Sequence, residues 1–168
     1  MKKLYFEPPI YTFQIDFIRH VSNIVYVQWM EIGRSMLLDA IGMPVAQIAT
    51  QGFGPVLVET NISYKKPLYL GDQVKAEVWL SELSHASAWL SFRFLNGAGE
   101  VCAIGRQRGL FIYLATGRPK RITPEERMRF EEYFIPEASS QQTGQLENLK
   151  RHNAELSIPS ALQGLAGY

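Results

Sequence analysis

The chain has 168 residues, 46 % of them hydrophobic and 12 % aromatic, enough for one sizeable core but thin for two. Lys and Arg (17) nearly balance Asp and Glu (16), leaving a net charge of +1 without the basic excess that a nucleic-acid binder needs. The longest apolar run, residues 110–115, is far below the roughly 20 residues of a membrane-spanning helix, and the single Cys102 excludes an intramolecular disulfide or a multi-cysteine metal site.

The opening Met1-Lys2-Lys3-Leu4-Tyr5-Phe6 imitates a signal peptide, but Glu7, Pro8 and Pro9 stop it before an apolar segment forms. The expectation is therefore a cytoplasmic globular domain with no nucleic-acid partner and no membrane span. Tyr11, Phe13 and Ile15 alternate with polar neighbours, which predicts a first strand over 11–15. Residues 16–22 break that pattern. A helix is predicted over 23–41, stopped by Gly42 and Pro44. Gln28, Glu31, Ser35 and Asp39 form one narrow polar stripe along it, and most other positions are apolar. Such a helix is expected to be buried on most sides, as though a sheet wrapped around it.

Strand signals then dominate. Residues 55–64 are rich in Val, Thr and Ile, and residues 67–72 read as a turn through Gly71-Asp72. Over 74–83, Val74, Ala76, Val78 and Leu80 are expected to point inward, with Lys75, Glu77 and Ser81 outward. Residues 89–95 follow, closed by the turn Asn96-Gly97-Ala98-Gly99. A last strand is predicted over 101–114, where Gly105 and Gly109 signal a bulge or a close backbone approach. Thr123, Pro124 and Glu126 form a capping-box signature for a short helix to about residue 134. Residues 139–145 read as a polar linker, and 147–156 as one further helix. The layout is α+β, an antiparallel sheet of about five strands against one long helix, in a domain over 1–135 with a polar extension over 136–168. So apolar a sheet is expected to continue into a partner subunit.

Asp16-Phe17-Ile18-Arg19-His20-Val21-Ser22-Asn23 sets a carboxylate a few residues ahead of a helix N-terminus, whose free N–H groups can hold a developing oxyanion. That combination suits hydrolysis of an activated carbonyl, with the carboxylate as general base on water or as nucleophile. Here the sequence resembles the hot-dog-fold acyl-CoA thioesterases of the 4-hydroxybenzoyl-CoA thioesterase type. Their pattern Asp-x-x-Gly-His-Val-x-Asn, followed on the helix by Tyr, Glu and Arg, is matched by Asp16, His20, Val21, Asn23, Tyr26, Glu31 and Arg34. Pro67-Leu68-Tyr69-Leu70-Gly71-Asp72 is similar to the family's Pro-x-x-x-Gly-Asp turn. Ala115-Thr116-Gly117-Arg118-Pro119 with Pro124-Glu125-Glu126 is similar to its usual ending.

The resemblance implies a hot-dog fold with the sheet around a central helix, thioester hydrolysis without a cofactor, and a homodimer or homotetramer with sites at subunit interfaces. It implies that Asp16 is the catalytic carboxylate and that the Asn23 N–H polarises the thioester carbonyl. His20 is a further catalytic candidate, with shaping of the loop as its other reading. Glu31 and Arg34, three apart on the helix, are placed to pair. Tyr26 is a candidate acyl contact; Lys65, Lys66, Arg106 and Arg108 are candidates for the phosphates of CoA or a phosphopantetheine arm. Glu59, with Asn61, is a candidate for lining a partner-subunit site.

Three positions depart from the pattern: Arg19 replaces Gly, Gln14 replaces an acid, and Ser22 replaces a frequent Asn. Arg19 points either to a different turn path, to pairing with Asp16, or to attraction of substrate phosphate. The substrate is acyl-CoA or an acyl carrier protein; the alternative to catalysis is a non-catalytic acyl-binding protein of the same fold. The three histidines, His20, His85 and His152, give no metal-ligand spacing, and Cys102 is expected to be buried and inert.

Overall fold

The computed structural model describes residues 2–136. The polar extension read over 136–168, with its linker and helix, lies outside the described residues apart from Pro136. Chain order is β1 (Leu4–Phe6), a 3-10 turn (Thr12–Gln14), α1 (Asn23–Ala40), α2 (Val45–Thr50), β2 (Phe53–Tyr64), β3 (Val74–Leu83), β4 (Ser87–Asn96), β5 (Val101–Tyr113) and α3 (Pro124–Glu131). The five strands form one antiparallel sheet in the order β1-β3-β4-β5-β2, so β2 is an edge. None of the described helices is long and apolar enough to cross a membrane.

The expected strand over 11–15 is not formed. Gln14 folds back, its N–H donating to Tyr11 O at 3.0 Å while its side-chain Oε1 accepts the Tyr11 N–H at 2.8 Å. The alternating aromatics point to solvent instead, Tyr11 stacked on Phe13, and Phe13 is 81 % exposed. The first strand lies earlier, where Leu4, Tyr5 and Phe6 pair with Val78, Glu77 and Ala76 of β3. Pro8 and Pro9 end this strand. Helix α2 is also additional: Pro44 stops α1 and, with extended backbone, serves as the N-cap of α2.

Helix α1 packs one face on the sheet's inner surface. Gly33 lets the rings of Phe6 and Phe92 close on the helix, since a Cβ there would stand 2.9 Å from Phe6 Cε1. Gly105 does the same in β5, where a Cβ would meet Met30 Cε at 2.7 Å. Trp29, Met30, Leu37, Val78, Leu80, Phe92 and Phe94 fill the layer between. Truncating a buried Phe of this kind costs about 3–5 kcal/mol. Contrary to the expectation of burial on most sides, Ile24, Ile32 and Met36 are exposed on the far face of α1.

Val74, Ala76, Val78 and Leu80 are buried inward as read from their alternation. Glu77 and Ser81 leave the inner layer yet are also buried. Glu77 is covered by Lys3 and Arg93, both of which hydrogen-bond its carboxylate at 2.9 Å. Ser81 is the extra residue of a bulge between Leu80 and Glu82, and its hydroxyl donates to Trp89 O at 3.3 Å. A second bulge, between Leu57 and Glu59 opposite Gly109 and Arg108, resets the facing of β2. Beyond it, Thr60, Ile62 and Tyr64 face inward, while Glu59 and Asn61 face outward. The capping box of α3 forms: Thr123 Oγ1 accepts the Glu126 N–H at 3.2 Å, and the Glu126 carboxylate accepts the Thr123 N–H at 2.8 Å.

Candidate active site

Residues 14–22 form a miniature hairpin that delivers the chain to α1. Ile15 and Val21 pair across it, and the Ser22 N–H donates to Gln14 O at 2.8 Å. At its tip the Asp16 N–H donates to His20 O at 2.8 Å, leaving Phe17, Ile18 and Arg19 as a three-residue loop. Such loops combine a turn with a left-handed residue at the third position, which explains why a glycine suits it. Here Arg19 takes that conformation, with φ of 68°, the sole non-glycine with positive φ among the described residues. Arg19 thus adopts the left-handed conformation that a glycine favours at this position. Arg19 is exposed, and among the described residues it makes no ion pair with Asp16.

The loop fixes one oxygen of Asp16 and leaves the other available. Oδ1 accepts the N–H of Ile18 and of His20, each at 3.0 Å. No hydrogen bond reaches Oδ2 among the described residues. Two residues after His20 comes the start of α1, with Ser22 at the N-cap, its side chain making no capping bond. The Asn23 N–H likewise has no acceptor among the described residues, so the helix presents a bare donor at the positive end of its dipole.

Neighbouring segments hold this end in place. The Val21 N–H donates to Leu68 O at 2.8 Å, joining the hairpin to the turn that Gly71 and Asp72 close. Asp72 Oδ2 accepts the Tyr69 N–H at 2.8 Å, and Gly71 takes φ of 93°. Tyr69 then stands edge-on to the His20 ring at 5.2 Å between centroids. The Tyr64 hydroxyl, at the end of β2, donates to Asn23 O at 3.2 Å. Burial pushes the Tyr64 phenol above its ordinary range, so it remains a neutral donor. Tyr64 and Tyr69 were not singled out from sequence. The Pro-x-x-x-Gly-Asp turn carries the signal for Tyr69; nothing in the sequence marks Tyr64.

The structure thus gathers Asp16, His20 and Asn23, and it separates most of the binding candidates from them. Tyr26 is 2 % exposed, its ring packed against Trp29, Tyr64 and Phe94, so it is a core residue supporting Tyr64. Lys65 and Lys66 follow directly on Tyr64 and are exposed; Lys66 pairs with Glu100. Arg106 and Arg108 lie on the outer face of β5, away from α1. Arg106 pairs with Glu82 at 2.6 Å and Arg108 with Glu59 at 3.4 Å, and both guanidinium groups lie over the Trp89 ring. Glu59 also accepts from Asn61 Nδ2 at 2.9 Å. Alternation along β5 set these arginines on one face, but it did not say which face the helix covers. Glu31 and Arg34 do pair, and Arg34 reaches inward to Gln107. Cys102 is fully buried and its thiol pKa is raised by burial, which removes it as a nucleophile. The described residues include no group of three His, Cys, Asp or Glu side chains arranged to hold a metal ion.

A family model described as the thioesterase-like superfamily matches residues 12–130. The chain is 30 % identical over 90 residues to YneP of Bacillus subtilis (strain 168), a protein whose name assigns it provisionally to the acyl-CoA thioesterases. That match covers 54 % of this chain and 63 % of the relative. A second relative is the chloroplastic acyl-acyl carrier protein thioesterase ATL3 of Arabidopsis thaliana, 25 % identical over 119 residues, 70 % of this chain and 62 % of that one. The chain thus spans somewhat over six tenths of these relatives' lengths. Among solved structures, a DHNA-CoA thioesterase from Staphylococcus aureus superposes with a TM-score of 0.69 at 19 % identity, covering 95 % of this chain and 98 % of that one. The sheet and its 18-residue helix are the hot-dog fold.

Proposed function

The chain belongs to the thioesterase-like superfamily, and on that premise we propose that it hydrolyses an acyl-CoA thioester to the free acid and CoA. The observation that carries this reading is the Asp16 carboxylate, pinned through Oδ1 with no hydrogen bond to Oδ2 among the described residues, on the hairpin that leads directly into the start of α1 at Asn23. Asp16 Oδ2 takes a proton from water as the water oxygen adds to the thioester carbonyl carbon. The charge that develops on the carbonyl oxygen is met by the Asn23 N–H and the α1 dipole. Collapse of the adduct breaks the C–S bond, and the proton held on Asp16 leaves with the thiolate. In direct attack by Oδ2 the C–S bond breaks and the CoA thiolate leaves as the mixed anhydride forms; water then opens the anhydride to the free acid, restoring the carboxylate and supplying the proton that the thiolate takes up, with the same two groups engaged. His20, edge-on to Tyr69, serves to shape the turn.

The protein acts as a homodimer or homotetramer in the cytoplasm, with Lys65 and Lys66 near the mouth of the site for the phosphates. Exposed Leu57 and Val58 on the edge strand β2, and Ile24, Ile32 and Met36 on α1, supply apolar surface for a second copy. An acyl carrier protein is the alternative acyl donor, favoured by the similarity to a plant thioesterase of that name. A thiol-release assay on matched acyl-CoA and acyl-carrier substrates tests the reading. Turnover on the CoA ester supports it, and turnover on the carrier ester alone moves the assignment to the carrier. Retention of acyl-CoA without release of thiol points to the non-catalytic acyl-binding alternative.

A further inference from the structure

Ser22 caps α1 without a side-chain bond, so the first turn of the helix is held from outside, by the end of β2 and the turn after it. One hydrogen bond lies on each side of Ser22. The Val21 N–H donates to Leu68 O at 2.8 Å, and the Tyr64 hydroxyl donates to Asn23 O at 3.2 Å. Tyr64 is itself fixed at both ends. Its backbone pairs with Ala103 in β5, and the next N–H, that of Lys65, donates to Cys102 O at 2.7 Å. Its ring stands edge-on to that of Tyr26 at 5.3 Å between centroids, and Tyr26 is buried against Trp29 and Phe94. A packed path therefore runs from the core to one carbonyl oxygen in the first turn of α1.

That oxygen does not need the bond. Asn23 O already accepts the Val27 N–H within the helix. Tyr64 is 41 % exposed, so water is an alternative partner for its hydroxyl, and folding gains little from the contact. Its effect falls instead on the peptide plane that joins the Asn23 carbonyl to the Ile24 N–H. Neither the Asn23 N–H nor the Ile24 N–H has an acceptor among the described residues, whereas the Val25 N–H is given to Ser22 O at 3.0 Å. A donor on a carbonyl polarises its amide and strengthens the N–H of the same plane as a donor. Burial keeps the Tyr64 phenol protonated for this purpose. We infer that Tyr64 is a positioning residue for thioester cleavage: acting through Asn23 O, its hydroxyl orients and polarises the Ile24 N–H as a second donor to the carbonyl oxygen, beside the Asn23 N–H. The inference rests on the thioester-hydrolase reading above, which sets that oxygen at the start of α1. Two converging N–H groups hold developing charge better than one, provided that they are fixed before the reaction begins.

The test compares Tyr64→Phe, which keeps the ring against Tyr26 and removes the O–H, with a ring-fluorinated tyrosine at position 64, a stronger donor of nearly the same shape. Thiol release from the acyl-CoA that the unaltered protein turns over fastest gives kcat and KM. Infrared difference spectra of the same ester, isotope-labelled at its carbonyl and bound to Asp16→Asn protein with each change at position 64, give the carbonyl stretch. Tyr64→Phe is expected to lower kcat by about tenfold with KM within about twofold, less than the roughly hundredfold lost with an oxyanion donor itself, because both N–H groups remain. The stretch moves back toward that of the free ester, and the fluorinated tyrosine moves it the other way. A merely structural tyrosine would alter stability and leave the stretch in place. Folded Tyr64→Phe protein with unaltered kcat, or a stretch that ignores both changes, overturns the inference. Should Tyr64→Phe fail to fold, the fluorinated protein decides alone: a stretch displaced further from the free ester supports the inference, and an unmoved one overturns it. A bound ester whose stretch equals that of the free ester in the Asp16→Asn protein itself, or no thiol release from any ester, defeats the hydrolase reading instead.

Discussion

Asp16 and His20 close one turn from both directions: His20 O accepts the Asp16 N–H at 2.8 Å, and Asp16 Oδ1 accepts the His20 N–H at 3.0 Å. The carboxylate is thereby oriented by backbone donors rather than by a cation. One of its oxygens belongs to the fold, and the other is left for chemistry. This division gives the substitutions below distinct signatures.

Arg19 holds a left-handed conformation that costs a non-glycine residue about 1–2 kcal/mol. Arg19→Gly is expected to raise unfolding stability by about 1 kcal/mol, after allowing for the greater freedom of glycine in the unfolded chain. Arg19→Ala keeps the strain and gives no such gain. Urea denaturation of the three proteins separates these outcomes.

Glu77 governs acid stability. Burial pushes its carboxyl upward, but hydrogen bonds from Lys3 and Arg93 outweigh that and hold it below the usual carboxylate range. A folded-state value below the unfolded one of about 4.3 means that stabilisation is present above that pH. It is lost as pH falls through the lower folded-state value. Glu77→Gln should lower stability at pH 7 by about 1–3 kcal/mol and flatten the acid limb of the stability profile. Denaturation curves between pH 7 and pH 3 read both effects.

Asp72 caps the Tyr69 N–H and so positions the ring that meets His20. Asp72→Ala is expected to cost about 1 kcal/mol of stability. It should reduce turnover by no more than about tenfold, because the reacting groups themselves are untouched. Steady-state kinetics beside thermal unfolding tests that split.

Much of this fold was legible because particular residues leave few alternatives. Gly42 and Pro44 ended α1 within a residue of where it stops, and the alternation from Val74 to Leu80 gave the inward face of β3. Strand β1 was missed because three residues before two prolines carry no periodicity, and their strand character comes from pairing with β3. Tyr11, Phe13 and Ile15 misled because their alternation falls across a 3-10 turn that Gln14 closes onto Tyr11, so no strand forms there. In the site, the spacing from Asp16 to Asn23 carried through to the hairpin and helix start. The arginines did not join it: parity along β5 is visible in sequence, whereas the side occupied by α1 is set by Gly105 receiving Met30. The bulge between Leu57 and Glu59 also resets the facing of β2, and no residue there announces it.

The most direct test is thiol release by the Asp16→Asn variant beside the unaltered protein, with a denaturation curve for each. Asparagine keeps the Oδ1 acceptor for the Ile18 and His20 N–H groups, so the turn and the stability are expected to persist. It removes the basic oxygen, so turnover should fall by about two orders of magnitude or more. Folded Asp16→Asn protein with undiminished thiol release would contradict the account.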